Sequence, residues 1–297
     1  MKSEQNTMPY YVLDVFTNER FKGNPLPVVV TGKPLETSLY QQISREFAYV
    51  ETSFMHYSKE DKSLRVRSFN RQGREISGAG HNLLGAVCLA VLKDMNVFRV
   101  QEGTPSVIMK DKRIQLHIEN NSSDLPFIGM LQQSARSGNT VPAEDIAAAL
   151  RLEPDDVKLF DWQPTVVTTE VAHLMVPLRN IDALNRACPS GSALQNIATG
   201  YGFQGCYCFA LTDKDTPQIA QARFFHPGGI EDAATGSAAG PLGGYLFQKG
   251  YIHKDKEYAI LQGVKLQQPS ILRFRVTSAG IWVSGASTIV MEGVLHI

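Results

Sequence analysis

No run of this 297-residue chain could cross a bilayer as a helix. The longest apolar stretch, residues 83–92, is interrupted by Gly85 and is about half the length required. The opening MKSEQNTMPYY lacks the apolar core of a secretory signal, so residues 1–8 read as a disordered leader. Charge of one sign is missing too: 29 Lys and Arg residues balance 29 Asp and Glu, with no dense basic run. That argues against nucleic acid or an anionic membrane surface as the main partner. The four cysteines never form the repeated close pairs of a zinc site, so no metal is expected and the thiols read as reduced, in a cytoplasmic setting. Cys206 and Cys208 are read as alternating on a strand, facing opposite sides. Three familiar motifs also fail. Gly78-Ala79-Gly80 opens like a dinucleotide fingerprint, but Leu83 stands where the third glycine belongs. Ser237 lacks the flanking glycine spacing of a nucleophile elbow, and there is no P-loop lysine.

What is present is a repeat. Residues 66–81 read VRSFNRQGREISGAGH and residues 222–237 read ARFFHPGGIEDAATGS. At a constant offset of 156 they share Arg67/Arg223, Phe69/Phe225, Gly73/Gly229, Glu75/Glu231 and Gly80/Gly236. Each copy runs into a Gly- and Ala-punctuated apolar stretch, NLLGAVCLAVL or AAGPLGGYLF. Each unit therefore reads as strand, Gly-bearing loop, and helix starting at Gly80-His81 or Gly236-Ser237.

Around the two copies, β-rich segments predict strands at residues 10–16, 27–31, 50–55, 64–69, 98–101, 106–110 and 113–119. Apolar spacing predicts a helix from Thr37 or Ser38, either of which could cap it. Residues 120–124, NNSSD, form the expected boundary between an N-terminal lobe (8–121) and a C-terminal lobe (122–297), whose last strands are free to cross back to the first. The second half then predicts strands at 127–132, 165–169, 173–176 and 206–211. SARSGNT reads as a loop, and helices are expected at 143–150 behind Pro142 and around 193–199. Strands fill the tail, and Pro241 is placed in the first turn of its helix, where no helical N–H is needed. Helices and strands do not alternate regularly, so a doubly wound parallel sheet fits poorly. The expected fold is α+β: two pseudo-symmetric lobes, each a mixed sheet or barrel wrapped round a central apolar helix, with equivalent loops facing across a cleft.

Two helix N-termini entered through glycine loops would offer free backbone N–H groups to an anion, most simply a carboxylate. Gly80, Gly236 and Ser237 are the candidate binding residues. Ordinary tight turns, with Ser237 as a cap, are the plain alternative. The candidate proton-transfer groups are Glu51, His81 and Asp232. A carboxylate within a strand, as Glu51 is, suits a general acid/base if half-buried, and is unremarked if exposed. Glu231 competes with Asp232 for an acid role, although its match to Glu75 points to shared structure. At the same offset Glu51 is matched by Tyr207, Ile76 by Asp232 and His81 by Ser237.

Four motifs stand in order along the chain: DVF with F-x-GNP from Asp14 to Pro25, VETSF from Val50, AGHNLLG from Ala79 and EDAATGSAAG from Glu231. With them, from about residue 8 to the end, the sequence resembles the PhzF-type phenazine-biosynthesis isomerase family, within the diaminopimelate-epimerase-like fold. The resemblance implies an active site between two lobes and Glu51 as the acid/base that moves a proton on carbon. It implies that His81, Asp232 and Ser237 line the site, and that N–H groups near Gly80 and Gly236 hold a substrate carboxylate. It also implies a homodimer and no cofactor. Epimerases and racemases of the wider fold carry a thiol in each half. The matching positions here are Ala79 and Ala234, which leaves one carboxylate shuttling a proton between carbons. A racemase or lyase using the same proton abstraction, and a non-catalytic small-anion-binding protein, remain as alternatives.

Overall fold

The computed structural model describes residues 7–76, 78, 80–95, 98, 104–120, 125–213 and 215–297. In chain order its elements are β1 (Thr7–Val15), β2 (Asn24–Val30), α1 (Thr37–Phe47), β3 (Glu51–Ser58), β4 (Ser63–Asn70), β5 (Glu75–Ile76), α2 (His81–Leu92), β6 (Ser106–Met109), β7 (Lys112–Asn120) and β8 (Pro126–Gln132). Then come β9 (Arg136–Thr140), α3 (Ala143–Leu150), β10 (Thr165–Thr168), β11 (Ala172–Pro177), α4 (Ile181–Arg186), α5 (Gly191–Tyr201) and β12 (Cys206–Leu211). The last are β13 (Ala220–Phe225), β14 (Glu231–Asp232), α6 (Gly236–Gln248), β15 (Glu257–Gln262), β16 (Ser270–Val276), β17 (Ile281–Gly285) and β18 (Ser287–His296). Contacts divide the chain into two compact units, one of Met1–Met130 with Ser284–Ile297, the other Leu131–Val283.

In the first unit β1 lies between β18 and β2, antiparallel to both. β2 runs parallel to β3 after the α1 crossover, and β3 pairs antiparallel with β4. β4 then pairs antiparallel with short β5 and parallel with β6, which turns back into β7. The sheet packs on α2 through β1, β2, β3, β4 and β18. Every α2 residue from His81 to Ala90 is buried, as expected of a helix with no polar face.

The second unit repeats this series of pairings. β10 and β11 are antiparallel, β11 and β12 parallel, and β12 and β13 antiparallel. β13 pairs antiparallel with short β14 and parallel with β15, and β15 turns back into β16. Helix α6 takes the place of α2 and packs against β10, β11 and β16. A separate apolar core gathers α3, α4 and α5 around Ile146, Leu184, Leu194 and Phe203.

The repeated sequence is now seen as a repeated turn. Gly73 (φ 79°) and Gly229 (φ 85°) both take the left-handed conformation and donate to the carbonyls of Asn70 and His226, at 2.8 and 2.7 Å. Asn70 N–H meets the Arg74 carbonyl at 2.9 Å, and His226 N–H meets that of Ile230 at 2.8 Å. In each copy the arginine grips the glutamate with two bonds: Arg67 holds Glu75, both at 2.8 Å, and Arg223 holds Glu231 at 2.9 and 2.7 Å. The shared Arg, Gly and Glu are thus the fastenings of a β-turn, and Glu231 is committed to structure.

Several expectations are corrected. The pairing register places Phe69 opposite Thr52, and Phe225 opposite Cys206. In the fold the counterpart of Glu51 is therefore Gly205, not Tyr207; the offset is 154 in this strand and 156 in the next because the β12–β13 connection is two residues longer than the β3–β4 one. Cys206 and Cys208 share one face, with sulfurs 3.7 Å apart, since residues two apart on a strand point the same way. The cap position of α1 is Glu36, without a side-chain bond, rather than Thr37 or Ser38. Pro241 is the sixth residue of α6, beyond the first turn. SARSGNT contains strand β9, whose residues are all exposed and so lack the alternating apolar face that marks a strand. α4, six residues long, is capped by Asn180, whose Oδ1 accepts from Ala183 N at 2.9 Å, and had no periodicity to reveal it. Ala79, most of the expected strand at 98–101, and residues 121–124 lie outside the described residues.

Candidate active site

In the first unit, Glu51 opens β3 three residues after the left-handed Ala48 that ends α1, and it sits opposite Asn70. Its carboxylate Oε2 lies 4.0 Å from His81 Nδ1, with side chains 18% and 9% exposed. The imidazole belongs to the first residue of α2, so strand start and helix start meet at this pair. His81 Nε2 is buried and makes no hydrogen bond among the described residues. A carboxylate and an imidazole so placed, half out of water, suit proton transfer on a bound carbon acid.

The loop into α2 is held by Asn82, a residue the sequence did not single out. Its Oδ1 accepts from the N–H groups of Gly80 and Leu83, both at 2.8 Å, and its Nδ2 donates to the Gly78 carbonyl at 3.0 Å. Ser53 donates to the Asn82 carbonyl at 2.9 Å and bonds Ser68 at 2.8 Å, tying helix to sheet. The Gly80 N–H is thus bonded within its own loop. Among first-turn donors, those of His81 and Asn82 have no acceptor among the described residues.

In the second unit, Asp232 lies on β14 and its carboxylate accepts from Thr235 Oγ1 at 2.6 Å. Beneath this loop sits Gln262, fully buried. Its Nε2 donates to the Asp232 carbonyl at 2.9 Å and to Thr235 Oγ1 at 3.1 Å; its Oε1 accepts from Tyr207 OH at 2.9 Å and Thr235 N at 3.2 Å. Burial and the nearby Asp232 charge both push the Tyr207 phenol upward, so it stays a donor. Gly236 offers its carbonyl to Gln132 Nε2 at 3.0 Å, and Ser237 Oγ meets His173 Nε2 at 3.2 Å. No glutamate could stand at Gly205. A Cβ there would lie 2.0 Å from Phe224 Cζ, inside the ring. The Glu51 carboxylate of the first unit therefore has no counterpart in the second, for a steric reason.

Glu51 and His81 are together, and Asp232, Gly236 and Ser237 line one loop and helix start. Asn82, Gln262 and His173 were missed. The signal available was a buried polar residue at an inward strand or helix position, which becomes visible only once the register is known. Among the described residues no cluster of three His, Cys, Asp or Glu side chains could hold a metal ion, and no helix is long and apolar enough to cross a membrane.

A duplicated sheet-and-helix unit, with a carboxylate and an imidazole meeting at one helix start, belongs to the epimerase-like class of fold. The chain belongs to the phenazine biosynthesis-like (PhzC-PhzF) family, whose model matches residues 13–293. It is 29% identical over 294 residues to a trans-2,3-dihydro-3-hydroxyanthranilate isomerase of Pseudomonas aeruginosa, covering 96% of this chain and 98% of that one. A solved structure of a predicted epimerase from Pseudomonas aeruginosa superposes with a TM-score of 0.80 at 28% identity, over 97% of this chain and 99% of that one. A hydroxyproline epimerase from Agrobacterium vitis shares the fold alone, with a TM-score of 0.63 at 8% identity, over 100% and 94% of the two chains. The fold is thus the diaminopimelate-epimerase-like one, mixed in α and β, and the chain is an enzyme of the isomerase class.

Proposed function

We propose that this isomerase moves a proton between carbons of a small carboxylate substrate without a cofactor, with Glu51 as the acid/base. The observation that carries the reading is the half-buried Glu51 carboxylate 4.0 Å from His81 Nδ1 at the start of a buried helix. Glu51 takes a proton from one carbon, the C–H electron pair moves into the adjacent π system, and the double bond shifts. The same carboxyl group then returns the proton to a different carbon. Charge that builds on the substrate carboxylate meets the first-turn N–H groups and positive dipole end of α2. His81 is the second proton-transfer group beside Glu51. Asp232 acts as an acid/base in the loop of the second unit, and Gly80, Gly236 and Ser237 bind substrate. Assembly as a homodimer in the cytoplasm belongs to the same reading.

Trans-2,3-dihydro-3-hydroxyanthranilate, the compound in the relatives' name, is the first probe. In deuterated water the native enzyme should place deuterium on product carbon, and Glu51→Gln should lower that rate by about 10²- to 10⁴-fold while leaving binding nearly intact. Normal turnover by Glu51→Gln would sink the proposal. A racemase would return deuterium to the original carbon, a lyase would release a fragment, and a pure binder would incorporate none.

A further inference from the structure

His173 is a buried histidine with no assigned task. It lies on β11, 3% exposed, with its ring edge-on to Phe224 at 5.2 Å between centroids. Its Nε2 shares the 3.2 Å hydrogen bond with Ser237 Oγ at the start of α6. Its Nδ1 is buried and closes no hydrogen bond among the described residues, with the Gly205 backbone acting on the ring only weakly. Such an orphan is costly, and an apolar ring of similar size would remove the cost. A histidine is therefore poor packing at this site unless its one bond, to Ser237, matters.

We propose that His173 is a positioning residue that holds the Ser237 hydroxyl in the orientation in which it receives substrate. The bond survives either tautomer: Nε2–H donates to Oγ, or Oγ–H donates to Nε2. Burial, with the charge of His226 second, drives the imidazole down to about 3, so it stays neutral and serves as a hydrogen-bond partner rather than a proton carrier. Phe224 fixes the ring from one side, packing also against His226 at 5.1 Å, and it occupies the space above Gly205. The missing side chain at Gly205, which leaves the second unit no counterpart of Glu51, is thus what lets Phe224 brace the His173–Ser237 pair. Ser237, half-buried and one residue into α6, is the point at which this buried arrangement reaches the surface.

This inference rests on the reading of Ser237 as a substrate-binding residue, and two measurements separate their fates. The first needs no substrate: ¹⁵N spectra of the native enzyme should show a neutral His173 from pH 5 to 8, with an Nε2 resonance that moves in Ser237→Ala. A charged ring, or an Nε2 signal indifferent to Ser237→Ala, would overturn the inference whatever the enzyme's chemistry. The second uses trans-2,3-dihydro-3-hydroxyanthranilate. His173→Phe should raise KM about fivefold, the worth of one ordinary hydrogen bond, with kcat changed far less. His173→Gln, whose amide reaches the Nε2 position, should restore KM, and His173→Asn should not. In a Ser237→Ala background His173→Phe should have no further effect. An unchanged KM in His173→Phe with native turnover would refute positioning alone. Absence of any turnover of the probe would fall on the proposed reaction, leaving the spectra to decide this point.

Discussion

Replacing Arg223 with Met should be among the most damaging single changes in the second unit. The guanidinium is 8% exposed and Glu231 11%. Besides its two bonds to Glu231, Arg223 Nη1 donates to the carbonyls of Leu184 and Ala187 at 2.9 and 2.8 Å, closing the C-terminal end of α4. Met keeps the volume and removes every donor, leaving a buried carboxylate and two carbonyls unpaired. Breaking a buried pair from one side costs about 3–5 kcal/mol, largely through the orphaned partner. The equivalent Arg67–Glu75 pair is 28% and 25% exposed, so water can replace the lost donor, and Arg67→Met should cost about 1 kcal/mol. Urea denaturation of the two variants checks the difference, and the Arg223→Met midpoint on heating should fall by on the order of 10 °C. Arg223→Met with Glu231→Gln should recover at least about 1 kcal/mol, because no charge is then stranded. Equal losses in the two arginine variants would refute the argument from burial, and no recovery in the double variant would refute the argument from the stranded charge.

Further outcomes are expected. Since His173 titrates at about 3 when folded but at 6.5 when unfolded, the unfolded chain binds the extra proton between these values. Its contribution to stability is therefore full above pH 6.5 and is lost as pH falls toward 3, and acid denaturation of His173→Phe should be less steep across that window. Gly205→Ala should destabilise by about 1–3 kcal/mol, because the new methyl would sit 2.0 Å from Phe224 Cζ; an unchanged midpoint would mean that the ring yields freely. Gln262→Leu should cost about 1–3 kcal/mol by stranding the Tyr207 hydroxyl and the Thr235 N–H, and adding Tyr207→Phe should restore part of it. With a maleimide the native protein should label at exposed Cys188, while buried Cys88, Cys206 and Cys208 react only on unfolding; burial pushes the Cys88 thiol up to about 12.

The site was legible where chemistry and backbone punctuation coincide. Gly80-His81 and Gly236-Ser237 mark helix starts because glycine before an apolar run ends the irregular segment, and α2 and α6 do begin there. Glu51 stood out as a carboxylate in a strand. Asn82, His173 and Gln262 did not, because a polar residue in an apolar pattern looks like noise until its partner is known. Those partners come from other elements: the Gly78–Gly80 loop for Asn82, Ser237 for His173, and Tyr207 with Thr235 for Gln262.

The one-dimensional repeat carried the duplication, since Arg, Gly and Glu at fixed spacing are what this β-turn requires locally: a left-handed glycine and a cross-strand ion pair. An alignment without gaps could not say which residue replaces Glu51 in the second copy. Strand register depends on hydrogen bonds to a neighbouring strand, and a connection longer or shorter by two residues moves every later match without changing any local pattern. Tertiary pairing put Gly205 there, beneath Phe224, and so decided that the Glu51 carboxylate has no counterpart in the second copy. Local sequence determined that there are two similar frames; only the packed structure determined how they differ.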